Sequence, residues 1–463
     1  MNSQDPQNWR LLPAVERVLN LPEVVPLCTR HGRAVVTGWV RDVLDAIRIG
    51  TVSDFPTTSS QMMTEIIDRL TATLRRDSSQ HLRRVINGTG IVIHTNLGRA
   101  PLAAAAIQAI TTAAAATNLE VDLVTGQRGR RGAGVENLCC EITGAEAALV
   151  VNNCAAATLL ALQTLAAGQS VVISRGQLIE IGGSFRLPDV FRQAGVELHE
   201  VGTTNRTRVK DYETAIGPDT AALLRVHPSN YRVVGFCESA SIAELVQLAK
   251  SRGIPAIDDV GSGCLYNLTR YGLADEPVVA DSLRAGADIV LFSGDKLLGG
   301  PQCGIILGRA DLIERMRANP LSRALRIDKL TCAALEATLE IHRAGRAFEE
   351  IPVLCQLSQS ADEIRSRAVR MIERLETALP SSSRFSLQAV ESAPGGGALP
   401  GQTIPSWAVA ISGPHPDRIA EQLRLGTPSV VTRLQDGRNL IDMRTVLVED
   451  EDALAGRLLE VAT

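Results

Sequence analysis

The chain has few lysines and few aromatic side chains. Four lysines stand among 47 basic residues, so arginine carries almost all the positive charge, and aromatics make up 3% of the 463 residues. So few rings argue against an RNA-reading module that stacks bases on aromatic side chains. No charge of one sign dominates. A net charge of -4 gives no whole-chain footprint of nucleic-acid binding, though a local patch can still carry such a contact. The nine cysteines include no CxxC pair, which indicates neither a zinc site nor a disulfide framework and makes a reduced cytoplasm the simplest compartment. The start, MNSQDPQNWRLLPAV, lacks the basic and then apolar pattern of a signal peptide. No uncharged apolar run approaches the roughly 20 residues that span a bilayer. The Walker-type GxxxxGK and Rossmann GxGxxG patterns are missing too.

What remains is ordinary globular composition, 45% hydrophobic and 21% charged, at a length that suits two or three domains. From about Trp9 to Thr73, PAVERVLNL and VRDVLDAIRIG carry apolar residues at helical spacing, and TVSDFPTTSS interrupts them. This predicts an N-terminal helical domain over residues 1–80. RRVINGTGIVIHTNLGRAPL at 83–102 reads as turns with a short strand, and the Ala-rich run after it as a helix. From Ala147 the runs AALVVNN, VVISRG, VELHEVG, AALLRVH, IPAIDDV, ADIVLF and CGIILG alternate with helical patterns. That predicts a large α/β domain over 81–345 with a mostly parallel central sheet covered on both faces. The tail, 346–463, mixes a long helix, the Gly/Pro-rich SAPGGGALPGQTIPS and strands, and suits a smaller α+β domain.

Three short stretches carry chemistry. In FSGDKLLGGPQCG, Lys296 follows an apolar strand and enters a glycine turn. A partly desolvated amine there is a nucleophile suited to a Schiff base with a carbonyl such as pyridoxal phosphate. The plainer reading is a lysine paired with Asp295. In IDDVGSG a strand ends in two carboxylates, and pyridine chemistry needs one acid at the ring nitrogen. The spacing favours Asp259, with Asp258 second. In VVNNCAAATLLAL a strand turns through Asn152 and Asn153 into a helix opening on Cys154 and Ala155. Free amides and small side chains at such a start suit a phosphate, although an Asn cap is the commoner meaning. Phosphate-type turn, then strand-end acid, then lysine is the order found in aminotransferase-like enzymes.

At this point the sequence resembles the bacterial selenocysteine synthase family, the L-seryl-tRNA(Sec) selenium transferases. The likeness lies in INGTGIVIHTNLGRAPL, SRGQLIEIGGSFRLPDV, VGTTNRT, DDVGSGCLYNL, FSGDKLLGGPQCGII, NPLSRALRIDKLTCAALEATL and PGGGALPGQTIPS. It departs at Cys154 and Cys303, where the family pattern leads one to expect Asn and Ala. The resemblance implies a fold-type I transferase that binds pyridoxal 5'-phosphate on Lys296. It would convert seryl-tRNA(Sec) to selenocysteinyl-tRNA(Sec) with selenophosphate, through a cofactor-bound aminoacrylyl intermediate. Asp259, Asn153, Cys154, Ala155, Ser293 and His227 would contact the cofactor, and Asp295 would assist Lys296. Arg99, Arg323 and Arg326 would form the pocket for the selenium donor, the last two sharing a helix face by their spacing. The helical N-terminus would bind the tRNA body, and the chains would assemble as a decamer, a pentamer of dimers. A related lyase or aldolase acting on a small amino acid-like substrate is the alternative.

Overall fold

A computed structural model describes residues 11–49, 58–77, 82–182, 185–379 and 384–462. The expectation about the first ten residues, and most of the predicted TVSDFPTTSS break, lie outside them. The chain divides into two compact units, 1–84 and 85–463.

The first unit holds the helices Val15–Leu19, Val25–His31, Arg33–Arg48 and Ser59–Asp77. In Arg33–Arg48, Val36, Val40, Val43, Leu44 and Ile47 recur every three or four residues and are buried. They form one apolar stripe. Met62, Ile66 and Leu70 of the last helix close a core with them.

The second unit opens with two short strands, β1 (Val85–Gly88) and β2 (Ile91–Ile93). Seven strands follow: β3 (Ala147–Val151), β4 (Ser170–Ser174), β5 (Glu197–Val201), β6 (Thr220–Val226), β7 (Ala256–Gly261), β8 (Ile289–Ser293) and β9 (Gly304–Gly308). Each corresponds to one of the apolar runs. They make a single sheet in the order β3-β9-β8-β7-β6-β4-β5. Alternate residues of one strand enter different cores. Val171 and Ile173 belong to one cluster and Val172 to the other, so helices bury both faces as the continuous apolar runs predict. All neighbours are parallel except β9, which runs against both β8 and β3. The turn 294–303 is too short for the dozen or more residues that a parallel crossover needs, so the chain returns antiparallel.

The tail adds β10 (Phe385–Gly395), β11 (Ile404–Ile411), β12 (Ser429–Gln435) and β13 (Arg438–Asp442). Together with β1 and β2 they form a six-stranded sheet, β1-β12-β13-β11-β10-β2. The apolar pattern places residues 81–345 with the large sheet. The hydrogen bonds of β1 and β2 lie in the other one, with Val85 opposite Ser429 and Ile91 opposite Ala393. The helix Ala361–Ala378 packs Ile364, Ala368, Met371 and Leu375 against this sheet. Ser360 and Glu363 cap its start reciprocally. Among the described residues no helix is long and apolar enough to cross a membrane.

Candidate functional site

The carboxyl ends of β3, β6, β7 and β8 converge on one cavity of about 250 Å³, which is where open α/β sheets present their ligand sites. Lys296 follows β8. It is 7% exposed, and no ion pair or hydrogen bond engages its amine among the described residues. The plainer reading, a pair with Asp295, is not what the structure shows. Asp295 accepts instead from Arg99 Nη1 at 2.7 Å and from Ser293 Oγ at 2.6 Å. Asp295 therefore anchors the turn to the residue that follows the Gly98 bend, while Lys296 stays free and faces the cavity.

Strand alternation resolves the two neighbouring acids. Asp258 points to one face of β7 and takes both nitrogens of Arg225, Nε and Nη2, each at 2.7 Å. Asp259 points to the other face and lines the cavity. Burial pushes its carboxyl up to about 6, against the opposing pull of the Lys296 charge and of a hydrogen bond from Thr158.

The helix Cys154–Ala166 begins at the cavity wall. Asn153 caps it, its Oδ1 accepting from Ala156 N at 2.8 Å. The commoner meaning of that asparagine thus holds for its side chain. The amides of Cys154 and Ala155 precede any intrahelical acceptor and remain available for an anion. Gly304 on β9 permits this turn, since a Cβ there would lie 2.1 Å from Asn153 O. Cys154 Sγ lies 3.8 Å from Asp259 Oδ1. Burial and the Asp259 charge keep that thiol protonated. Cys303, the other departure, is fully buried and does not line the cavity.

His227, just past β6, lines the cavity. Burial, then the Arg225 charge, push it down to about 4, so its ring is neutral at pH 7. Its Nε2 has no hydrogen-bond partner among the described residues and lies 4.0 Å from the buried Glu276 Oε2.

The arginines are not gathered as expected. Arg99 lines the cavity, whereas Arg323 and Arg326 are exposed and do not. Nor do those two share a helix. Arg323 lies in the last turn of the short helix Pro320–Ala324, while Arg326 bridges Val151 by its backbone. Asn152 N donates to Leu325 O and ends the helical run there.

Two participants escaped the sequence reading. Thr158 reaches Asp259 from the second turn of its helix, and a helical projection from Cys154 would have shown it. Gly397 belongs to the PGGGALPG segment, a Gly/Pro-rich loop by composition and part of the family resemblance, to which neither assigns a site role. A Cβ on it would lie 2.6 Å from Lys296 Nζ, so this segment roofs the amine. Leu399 N donates to Glu276 Oε2 at 2.7 Å, and Gln402 and Ala274 exchange two hydrogen bonds that clasp the same loop. No local signal marks such a contact.

The family described as L-seryl-tRNA selenium transferase matches residues 85–447, and that described as selenocysteine synthase N terminal matches residues 10–48. An L-seryl-tRNA(Sec) selenium transferase of Geobacter sulfurreducens is 47% identical over 456 residues, 98% of this chain and 99% of that protein. One of Moorella thermoacetica is 48% identical over 460 residues, 97% of this chain and 96% of that protein. Among solved structures, D-glucosaminate-6-phosphate ammonia-lyase superposes with a TM-score of 0.58 at 24% identity, covering 82% of this chain and 96% of that one. That likeness concerns the fold, the aminotransferase-like α/β fold of fold-type I enzymes.

Proposed function

The chain belongs to the L-seryl-tRNA selenium transferase family, and we propose that it converts L-seryl-tRNA(Sec) to L-selenocysteinyl-tRNA(Sec) with pyridoxal 5'-phosphate in the Lys296 cavity and selenophosphate as donor. One observation carries the reading. A buried, unpartnered amine shares a cavity with a buried carboxylate and with the open N-terminus of a helix. These are the three groups the cofactor needs, for its aldehyde, its ring nitrogen and its phosphate.

Bound there, the cofactor supplies a carbonyl that takes up the seryl amine and a ring that draws electrons from the α-carbon. The chain's own residues do the rest. The amides of Cys154 and Ala155 bind the phosphate. Asp259 would lie toward the ring nitrogen and hold its proton. Lys296, with no competing partner, takes the α-proton as the hydroxyl leaves. Asp295, already bonded to Arg99 and Ser293, keeps the lysine turn in place. The neutral His227 packs beside the cofactor, and the Gly397 loop excludes water.

As selenium bonds to the β-carbon, Lys296 returns the proton to the α-carbon, and water cleaves the Se–P bond so that phosphate leaves. Arg99 at the cavity binds the phosphate-like donor, because a forked guanidinium group matches its oxygens, and the exposed Arg323 and Arg326, outside the cavity, add only positive potential on its approach. Arg323→Ala and Arg326→Ala are each expected to raise the KM for selenophosphate by only about two- to threefold, in line with loss of a screened surface charge. Cofactor affinity, measured by titration, stays unchanged. The N-terminal helices bind the tRNA body by shape and phosphate contacts. A decamer built as a pentamer of dimers is the proposed assembly, and the cytoplasm the proposed compartment. Exposed apolar side chains such as Val234 and Phe236, 84% and 85% accessible, support assembly.

Asp259 makes cofactor binding depend on pH. Below about 6 its carboxyl is protonated and loses the charge that faces the ring nitrogen. The dissociation constant for pyridoxal phosphate is expected to be flat above pH 7 and to rise steeply below 6. Without cofactor the sign reverses. A carboxyl raised by burial stabilises the fold fully below its ordinary value of 3.8 and loses that contribution as pH climbs through about 6.

The experiment for the reading as a whole is conversion in vitro with selenophosphate, offering seryl-tRNA(Sec) and free serine separately. Selenocysteinyl-tRNA(Sec) is the expected product. Turnover of free serine with the charged tRNA untouched would replace this reading with the lyase or aldolase alternative.

A further inference from the structure

The helix Cys154–Ala166 does more than present its amides. Thr158 stands on its second turn and is 2% exposed. Its Oγ1 lies 3.2 Å from Asp259 Oδ2 and 3.0 Å from Cys154 O. A hydroxyl has one proton to give, and a carboxylate is the stronger acceptor of the two. The other carboxylate oxygen meets only the Cys154 thiol, a weak donor at 3.8 Å. Among the described residues, Thr158 is thus the one strong side-chain donor to Asp259.

We propose that Thr158 is a positioning residue, whose hydroxyl fixes the orientation of Asp259 and keeps it ionised to meet a ring nitrogen. The inference rests on the reading of the cavity as a pyridoxal phosphate site. One rigid helix then sets two of the three cofactor contacts, with the anion cradle at its first turn and the carboxylate held from its second. Burial and the neighbouring Asp258 favour the neutral acid, while Lys296, Thr158 and Cys154 oppose them. Lys296 and the Cys154 amide meet the cofactor and Asp258 is tied to Arg225, so Thr158 is the member that can be altered without touching such a group or breaking an ion pair.

The test compares wild type, Thr158→Val and Thr158→Ser as full-length protein, titrated with pyridoxal phosphate from pH 5 to 9. Affinity and the visible spectrum of the bound cofactor are both followed. Valine conserves the shape, and circular dichroism checks that the fold persists. The expected result is about tenfold weaker binding for Thr158→Val at pH 7, with the loss of affinity on acidification beginning at higher pH. Thr158→Ser should restore both readouts. Wild-type affinity and pH dependence in Thr158→Val would overturn the proposal. So would a Thr158→Ser variant that behaves like valine, since that assigns the effect to methyl packing. A wild-type chain that binds no cofactor at any pH would instead remove the underlying site reading, and this proposal with it.

Discussion

Lys296→Ala is expected to lower the conversion of seryl-tRNA(Sec) by about a thousandfold or more. Removing a general base alone typically costs a factor of about 10² to 10⁴, and this amine also makes the covalent attachment. The fold should survive. The amine makes no hydrogen bond or ion pair, so its removal relieves a desolvation cost, and the buried Asp259, losing the pull of that charge, shifts towards its neutral form. The melting temperature of the cofactor-free variant should therefore stay within a few degrees of wild type. Borohydride should fix pyridoxal phosphate to Lys296 in the wild type and leave the variant unlabelled. Undiminished turnover in the variant would end the assignment of the amine.

The second large effect concerns Gly397, far from Lys296 in sequence. Gly397→Ala is expected to cut turnover about a hundredfold. Its φ of +85° already disfavours any side chain, at a cost of roughly 1–2 kcal/mol. The new methyl would also lie 2.6 Å from Lys296 Nζ and 2.8 Å from Cε. The lysine end is flexible and can swing aside, so most of the damage falls on the position of the amine and less on stability. Gly401→Ala separates the two causes. Gly401 has a φ of +71° in the same segment, and nothing lies within 4 Å of its added Cβ. It carries the backbone strain without the collision and should keep nearly full activity at a similar loss of melting temperature. Equal losses of turnover in both variants would show that loop strain, not contact with the lysine, is responsible.

Much of the cavity was legible because its parts are local in the chain. An apolar strand followed by a special residue and a glycine turn is a short pattern. It placed Lys296, Asp259 and the Cys154 helix correctly at the carboxyl ends of β8, β7 and β3. The order of these segments supplied the chemistry. The pairing of Asp295 was not legible, because its partner Arg99 comes from a bend nearly two hundred residues earlier. The expected helical face for Arg323 and Arg326 failed for a related reason. A backbone bond between Asn152 and Leu325 ends the helix between them, and spacing alone cannot reveal such a competitor.

The amino-acid sequence by itself placed the seven strands of the large sheet, the helix opening at Cys154 and the turn that carries Lys296, since hydrophobic period and turn chemistry act over a few residues. Only the tertiary structure decided which of two adjacent acids faces the lysine, that β1 and β2 join the tail sheet, and that the glycine loop between β10 and β11 roofs the amine. Those choices depend on which face of a strand meets which neighbour across long stretches of chain. That is settled by packing, which no local pattern encodes.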